Sequence, residues 1–310
     1  MTKIIAPRDA YGEILADLGQ NKDIFVLNGD VATATKTIHF SKKYPERYLN
    51  TGIAEQNMIG MAAGLARSGF VPVVSTFACF APGRVYDQIR QVVAYSNSNV
   101  KIMSTHPGLA IGADGAIHQC LDDISLMREL PNMVVLAPSD QVETKKAVAI
   151  ALEHKGPVYV RIGRKECPLL FDENIEFRIG KGYTIKDGHD ITLMAHGSMV
   201  GVVYEGAKAL QKEGIEARVI NMSSIKPIDV ELIIKAAKET AGIVTAEDHF
   251  LYGGLYSAVC EITSQQSPCK VKGIAVNDTF GESGSPQDLY EKYGLTKENV
   301  MNKAKEILEY

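Results

Sequence analysis

Short apolar runs alternate with amphipathic stretches along almost the whole chain. Residues 8–19 place Tyr11, Ile14, Leu15 and Leu18 on one helical face. After the polar break Asn21-Lys22-Asp23, the run Ile24-Phe25-Val26-Leu27 reads as a buried strand ending in the polar loop Asn28-Gly29-Asp30. A second strand near 47–50 leads into a helix that begins at Glu55. Further strands are predicted at 71–75, 100–104, 133–137 and 157–162, with Pro72 tolerable near the start of its own. Between them, 83–96, 121–130 and 140–154 carry helical spacing, the first through Val85, Ile89, Val92 and Val93. This alternation predicts an α/β fold with a doubly wound, mostly parallel sheet. Residues 163–189, with Gly163, Pro168, Gly180, Gly182 and Gly188, read as a connecting segment with room for an antiparallel strand pair. The alternation then restarts. Strands at 190–195, 217–222, 242–246 and 270–276 and helices at 200–213, 229–240, 254–265 and 296–310 predict a second, smaller α/β domain.

A length of 310 residues suits two domains. The 33 Lys and Arg against 37 Asp and Glu leave a net charge of -4, with no basic run longer than a pair. That balance argues against nucleic acid or an anionic membrane as a partner. The five cysteines, at 79, 120, 167, 260 and 269, show no CxxC spacing, so neither a disulfide framework nor structural zinc is expected and a reducing cytoplasm fits. The first residues lack an apolar run of signal-peptide length, and no stretch approaches the ~20 apolar residues of a membrane span. A soluble cytoplasmic protein is expected.

Candidate chemistry centres on 50–66. There Glu55 opens a segment rich in small residues, Gly60, Ala62, Ala63, Gly64 and Ala66, which would admit a flat ligand or another backbone. A carboxyl group held in such apolar surroundings is expected to keep its proton; the alternative is an acidic residue favoured by the helix dipole. The loop 104–119 carries His106, Asp114 and His118 among three glycines after a strand, a pattern of binding loops as well as of plain surface loops. His106 and His118 are not spaced as metal ligands, and Asp114 has no second carboxylate nearby. Phe77 and Phe80 stand just past a strand and could face a flat heterocycle or pack in the core. Arg161 and Arg164 leave the last strand of the first domain and Arg8 precedes the first helix; all three could hold a phosphate or form salt bridges.

The segments Tyr48-Leu49-Asn50-Thr51-Gly52-Ile53-Ala54-Glu55-Gln56, Ser75-Thr76-Phe77-Ala78-Cys79-Phe80, Gly112-Ala113-Asp114-Gly115-Ala116-Ile117-His118-Gln119 and Gly253-Gly254-Leu255, in that order, resemble the second half of transketolase. The chain is also similar to 1-deoxy-D-xylulose-5-phosphate synthase and, more distantly, to the β subunit of 2-oxo-acid dehydrogenases. The resemblance implies a pyrimidine-binding domain at 1–162, a linker at 163–189 and a transketolase C-terminal domain at 190–310. It further implies that Glu55, as the acid, hydrogen-bonds the aminopyrimidine of thiamine diphosphate, and that Phe77 and Phe80 pack around that ring with Asp30 nearby. By the same resemblance Asp114 and His118 contact the substrate, His118 with a role in proton transfer, and His106, Arg161 and Arg8 bind the sugar phosphate.

Two departures qualify the resemblance. The diphosphate-binding half of the family is absent, and Gly29-Asp30 lacks the Asn that would complete a metal motif. Mg2+ and the diphosphate are therefore expected on a separate N-terminal subunit, with the active site between unlike chains, most simply in an α2β2 assembly. The second departure is Gly83, which stands where transketolases often have a third aromatic residue. Transfer of a two-carbon ketol unit between sugar phosphates is the expected activity, with a decarboxylating relative or a non-catalytic scaffold as alternatives.

Overall fold

A computed structural model describes residues 4–309; residues 1–3 and Tyr310, which the sequence reading includes in the first domain and in the terminal helix, lie outside the described residues. The strands are β1 (Ile24–Asn28), β2 (Tyr48–Asn50), β3 (Val71–Phe77), β4 (Lys101–Thr105), β5 (Val134–Leu136), β6 (Val158–Ile162), β7 (Tyr183–Lys186), β8 (Ile191–Ala195), β9 (Ala217–Asn221), β10 (Ser224–Lys226), β11 (Gly242–Phe250) and β12 (Lys270–Val276). They form two sheets. The first has the order β10-β5-β6-β4-β3-β1-β2, parallel except for β10, which pairs antiparallel with β5. The second has the order β12-β11-β8-β9-β7, parallel except for β7 against β9. Strands β4, β6, β8 and β9 are buried at every residue, which suits their apolar residues, such as Ile102 and Met103 of β4 and Leu193 and Met194 of β8, on both faces of the sheet.

Strand order reverses in the first sheet at β1: β2 lies to one side of it, while β3, β4, β6 and β5 follow on the other. Such a switch point leaves a crevice outside the carboxyl ends of the strands, and in open α/β sheets that crevice takes ligands. The two units share one apolar core. Leu27, Met58, Val74, Ile89 and Ile102 of the first unit join Met194, Ile220, Met222 and Ile243 of the second in one buried cluster. Each such side chain contributes roughly 1.5–3 kcal/mol on burial, so the junction between the units is a structural core. No helix among the described residues is long and apolar enough to cross a membrane.

Two regions differ from the sequence-based expectation. The predicted helix at 83–96 forms from Tyr86 to Tyr95, after a wide turn at Cys79–Gly83, but as a short α-helix at Tyr86–Gln88 that runs into a π-helix at Ile89–Tyr95. Pro82 lacks an N–H for helical bonding, and the inward residues Ile89, Val93 and Ala94 are spaced for the wider winding. In the segment 163–189 only β7 is a strand, and its partner β9 comes from the following domain rather than from a local pair.

Candidate active site

The carboxyl ends of the strands carry most of the residues singled out from the sequence. Asp30 follows β1 with a backbone φ of 64° and accepts a hydrogen bond from Asn50 Nδ2 at 2.8 Å. Glu55 is the first residue of the helix Glu55–Arg67 and is buried, with its side chain packed close enough to Gly29 that a Cβ added there would meet both Glu55 and Thr76. This helix divides its small residues. Ala62 and Ala63 are buried, whereas Gly60 and Gly64 share an exposed face with Gln56, Asn57 and Met61.

The surroundings of Glu55 are not the purely apolar ones expected. Arg84 Nη1 lies 3.2 Å from both carboxylate oxygens, and the Arg84 guanidinium also lies 4.4 Å from the Phe80 ring centroid. Arg84 escaped the sequence reading as a site residue because the predicted helix hid it; the break at Pro82-Gly83 was the available signal. Phe77 and Phe80 stack at 6.1 Å with 17° between their planes. Phe77 continues onto His106 at 4.2 Å, and Phe80 meets the edge of His118 at 5.7 Å. Stacked aromatic rings near a buried carboxylate, with the buried Thr76 hydroxyl left without a partner, offer the groups that a slot for a planar heterocycle bearing ring nitrogens would use.

Beyond this slot lies an anion-friendly end. His106, with φ 63°, is held between Thr105 Oγ1 (2.7 Å from Nδ1) and Arg8 Nη1 (2.9 Å from Nε2). Since Arg8 can only donate, Nε2 accepts and the ring is neutral, with its proton on Nδ1 toward Thr105. Burial, reinforced by Arg8, Arg164 and Lys36, pushes the His106 pKa down to about 3. Arg8 Nε is buried without an acceptor, and burial lowers the Arg8 pKa. Arg164 bonds the Ile111 carbonyl and sits 4.0 Å from Asp114, which with His118 forms the open side; His118 Nδ1 is 3.3 Å from the Asp114 carbonyl. The pH consequence has a definite sign. An unfolded chain protonates His106 near 6.5 and the folded chain only near 3, so this term is complete above pH 6.5 and is lost as the pH falls toward 3. Between pH 7 and 4.5 the native chain should lose about 2 kcal/mol more stability than His106→Asn, read as the difference in urea unfolding. Equal losses would refute the assignment.

Arg161 has internal partners. It lies inside β6, is buried, and its Nε donates to Asp123 Oδ2 at 2.8 Å while Nη2 donates to the Asp248 carbonyl at 2.8 Å. Tyr159, two residues earlier on the same strand face, donates to the same Asp123 oxygen at 2.7 Å. Burial would raise the Asp123 pKa, but Arg161 more than offsets it and the group is held below the usual carboxylate range. Arg161 is thus paired with Asp123 in the interior. Arg164, past the strand end, is the arginine of this pair that faces Arg8 and His106.

The second unit buttresses the loop that carries these groups. Asp248 Oδ1 accepts from Leu109 N at 2.8 Å, Tyr290 OH donates to its Oδ2 at 2.8 Å, and Gln119 Nε2 donates to the Glu282 carbonyl at 2.8 Å. Gly108 has φ 73°, and a Cβ there would collide with the Asp248 carboxylate, so only glycine lets the loop lie this close. Among the described residues no three His, Cys, Asp or Glu side chains converge as metal ligands.

The sequence matches the transketolase pyrimidine-binding domain over residues 3–168 and the transketolase C-terminal domain over 180–300. It is 45% identical to a transketolase C-terminal section of Methanocaldococcus jannaschii, covering 97% of this chain and 95% of that one. It is 39% identical to a subunit of the apulose-4-phosphate transketolase of Phocaeicola vulgatus, covering 98% of each. Its fold superposes on a split-gene transketolase, solved as an inactive β4 tetramer, with a TM-score of 0.91, 46% identity and 99% of both chains covered. The aromatic slot and buried carboxylate thus belong to a pyrimidine-binding α/β unit joined to its C-terminal companion. The chain is a member of the transketolase family, whose cofactor is thiamine diphosphate, and corresponds to its C-terminal section.

Proposed function

We propose that this chain is the C-terminal subunit of a split transketolase, moving a two-carbon ketol unit between sugar phosphates together with a separate subunit that binds diphosphate and Mg2+. The observation that carries the reading is the set of groups itself: Phe77 and Phe80 stacked, Glu55 buried and joined to Phe80 through Arg84, and Phe77 resting on His106 of the Arg8, His106 and Arg164 cluster. When bound, thiamine diphosphate supplies an acidic thiazolium carbon to which a ketol unit can attach. Glu55 hydrogen-bonds the aminopyrimidine ring nitrogen, Phe77 and Phe80 grip the ring faces, and Asp30 lines the approach. His118 moves a proton at the substrate oxygen and Asp114 accepts from a substrate hydroxyl. Neutral His106, Arg8 and Arg164 receive the phosphate, with Arg164 taking the place the sequence reading gave to Arg161.

The diphosphate and Mg2+ are assigned to a partner chain, in an α2β2 assembly within the cytoplasm. That the split-gene relative is inactive as a tetramer of one subunit points the same way. The test is capture of the tagged chain from its source cells, followed by assay of the recovered pair. A co-purifying chain with the diphosphate and Mg2+ motif, and ketol transfer from a ketose phosphate to an aldose phosphate by the pair but by neither chain alone, is the expected result. A pair that decarboxylates a 2-oxo acid without ketol transfer, or a pair with no turnover, would overturn the reading.

A further inference from the structure

We propose that Arg84 is a built-in competitor of the cofactor: its guanidinium occupies the slot meant for the aminopyrimidine, so that cofactor binding must expel it. The inference rests on the proposed function and adds a control element to the same site. Two contacts define it. Arg84 Nη1 bonds both oxygens of Glu55, and the guanidinium lies 4.4 Å from the centroid of Phe80. A planar group that offers N–H donors along its edge to a carboxylate and its face to an aromatic ring uses the same two features as an aminopyrimidine. Both groups need the same Glu55 oxygens and the same Phe80 face, so they exclude each other.

The arginine is also built to leave. Glu55 is 3% exposed while the Arg84 side chain is 47% exposed, so only one member of the pair is fixed in the interior. Arg84 follows the wide turn Cys79–Gly83, and Gly83, the residue standing where a third aromatic is usual, has open space around its Cα. Apart from Glu55 and Phe80, the Arg84 side chain makes no hydrogen bond or ring contact among the described residues. Among the described residues its backbone carbonyl accepts from Gln56 Nε2 at 3.4 Å. In this state Glu55 accepts from a cation, whereas its proposed role has it donating to the ring nitrogen. Displacing Arg84 therefore switches Glu55 from one partner to the other.

The test measures affinity for thiamine diphosphate with Mg2+ by titration calorimetry on this chain assembled with its diphosphate-binding subunit. Losing a half-exposed ion pair and a cation–π contact corresponds to about a five- to thirtyfold change in equilibrium, so Arg84→Gln should bind the cofactor that much more tightly. Arg84→Lys, which keeps the charge but not the plane, should fall between. A structural role could only weaken binding, so an Arg84→Gln affinity equal to or weaker than wild type overturns the inference. Phe77→Ala separates this failure from failure of the site assignment, because Phe77 walls the slot and does not touch Arg84. Weakened binding in Phe77→Ala leaves the site in place, whereas unchanged binding overturns the site and the competitor with it.

Discussion

Glu55→Gln, in the assembled enzyme, is expected to lower kcat by about 10²–10⁴-fold with little change in stability or assembly. The size follows from the role: an amide keeps the shape of the carboxyl group but cannot give up or recover a proton at the ring nitrogen. The structural neutrality follows from the surroundings. The oxygen of the introduced amide could still accept from Arg84, and Arg84, half exposed, retains water if it does not, so the stability cost should stay within about 1 kcal/mol. Steady-state ketol transfer and a thermal melt of the same preparation check both halves. Unchanged turnover in a correctly assembled variant would leave the chain as a scaffold that has kept the fold, because no other group in the slot could replace a buried carboxyl at this point.

Most of the architecture is readable from the residues because buried parallel strands announce themselves. Ile191, Leu193, Met194 and Ala195 of β8 are apolar because both faces of the sheet are covered, and Val158, Val160 and Ile162 fill one covered face of β6. The binding end of the sheet is readable for a related reason. Asp30, Phe77, His106 and Arg164 each stand at or just past the carboxyl end of a strand, where chain direction and local polarity change together. What sequence order hides is contact between distant segments. Nothing near Arg161 reveals that Asp123 will close on it, or that Asp248 from the second unit will offer its carbonyl. One local signal does separate the two arginines. Arg161 shares its strand face with Tyr159, whereas Arg164 lies beyond the strand. The segment 83–96 misleads in the opposite way, since its apolar spacing suits an α-helix while Pro82 just before it and the inward set Ile89, Val93 and Ala94 select wider turns. That misreading also concealed Arg84.

The second large effect belongs to the arginine pair, and it separates structure from binding. Arg161→Ala should destabilise the chain by about 3–5 kcal/mol, because it leaves the Asp123 carboxylate buried without its cation and strips a donor from the Asp248 carbonyl at the junction of the two units. The melting temperature should fall accordingly. A well-packed apolar replacement of both partners, Arg161→Met with Asp123→Leu, should recover part of the loss, since the uncompensated charge is then gone; Tyr159 OH would still lack its acceptor, which limits the recovery. Arg164→Ala should behave in the opposite manner. Its side chain is partly exposed and its nearest carboxylate, Asp114, is 4.0 Å away, so stability should change by less than about 1 kcal/mol. Its effect should appear instead as a raised KM for phosphorylated acceptors, with unphosphorylated ones little affected. If Arg161→Ala melted like the native chain and raised KM in that selective way while Arg164→Ala did not, the phosphate would have to reach β6 itself. The Asp123 contact would then have to open during turnover, against the energy of a buried ion pair with two further hydrogen bonds around it.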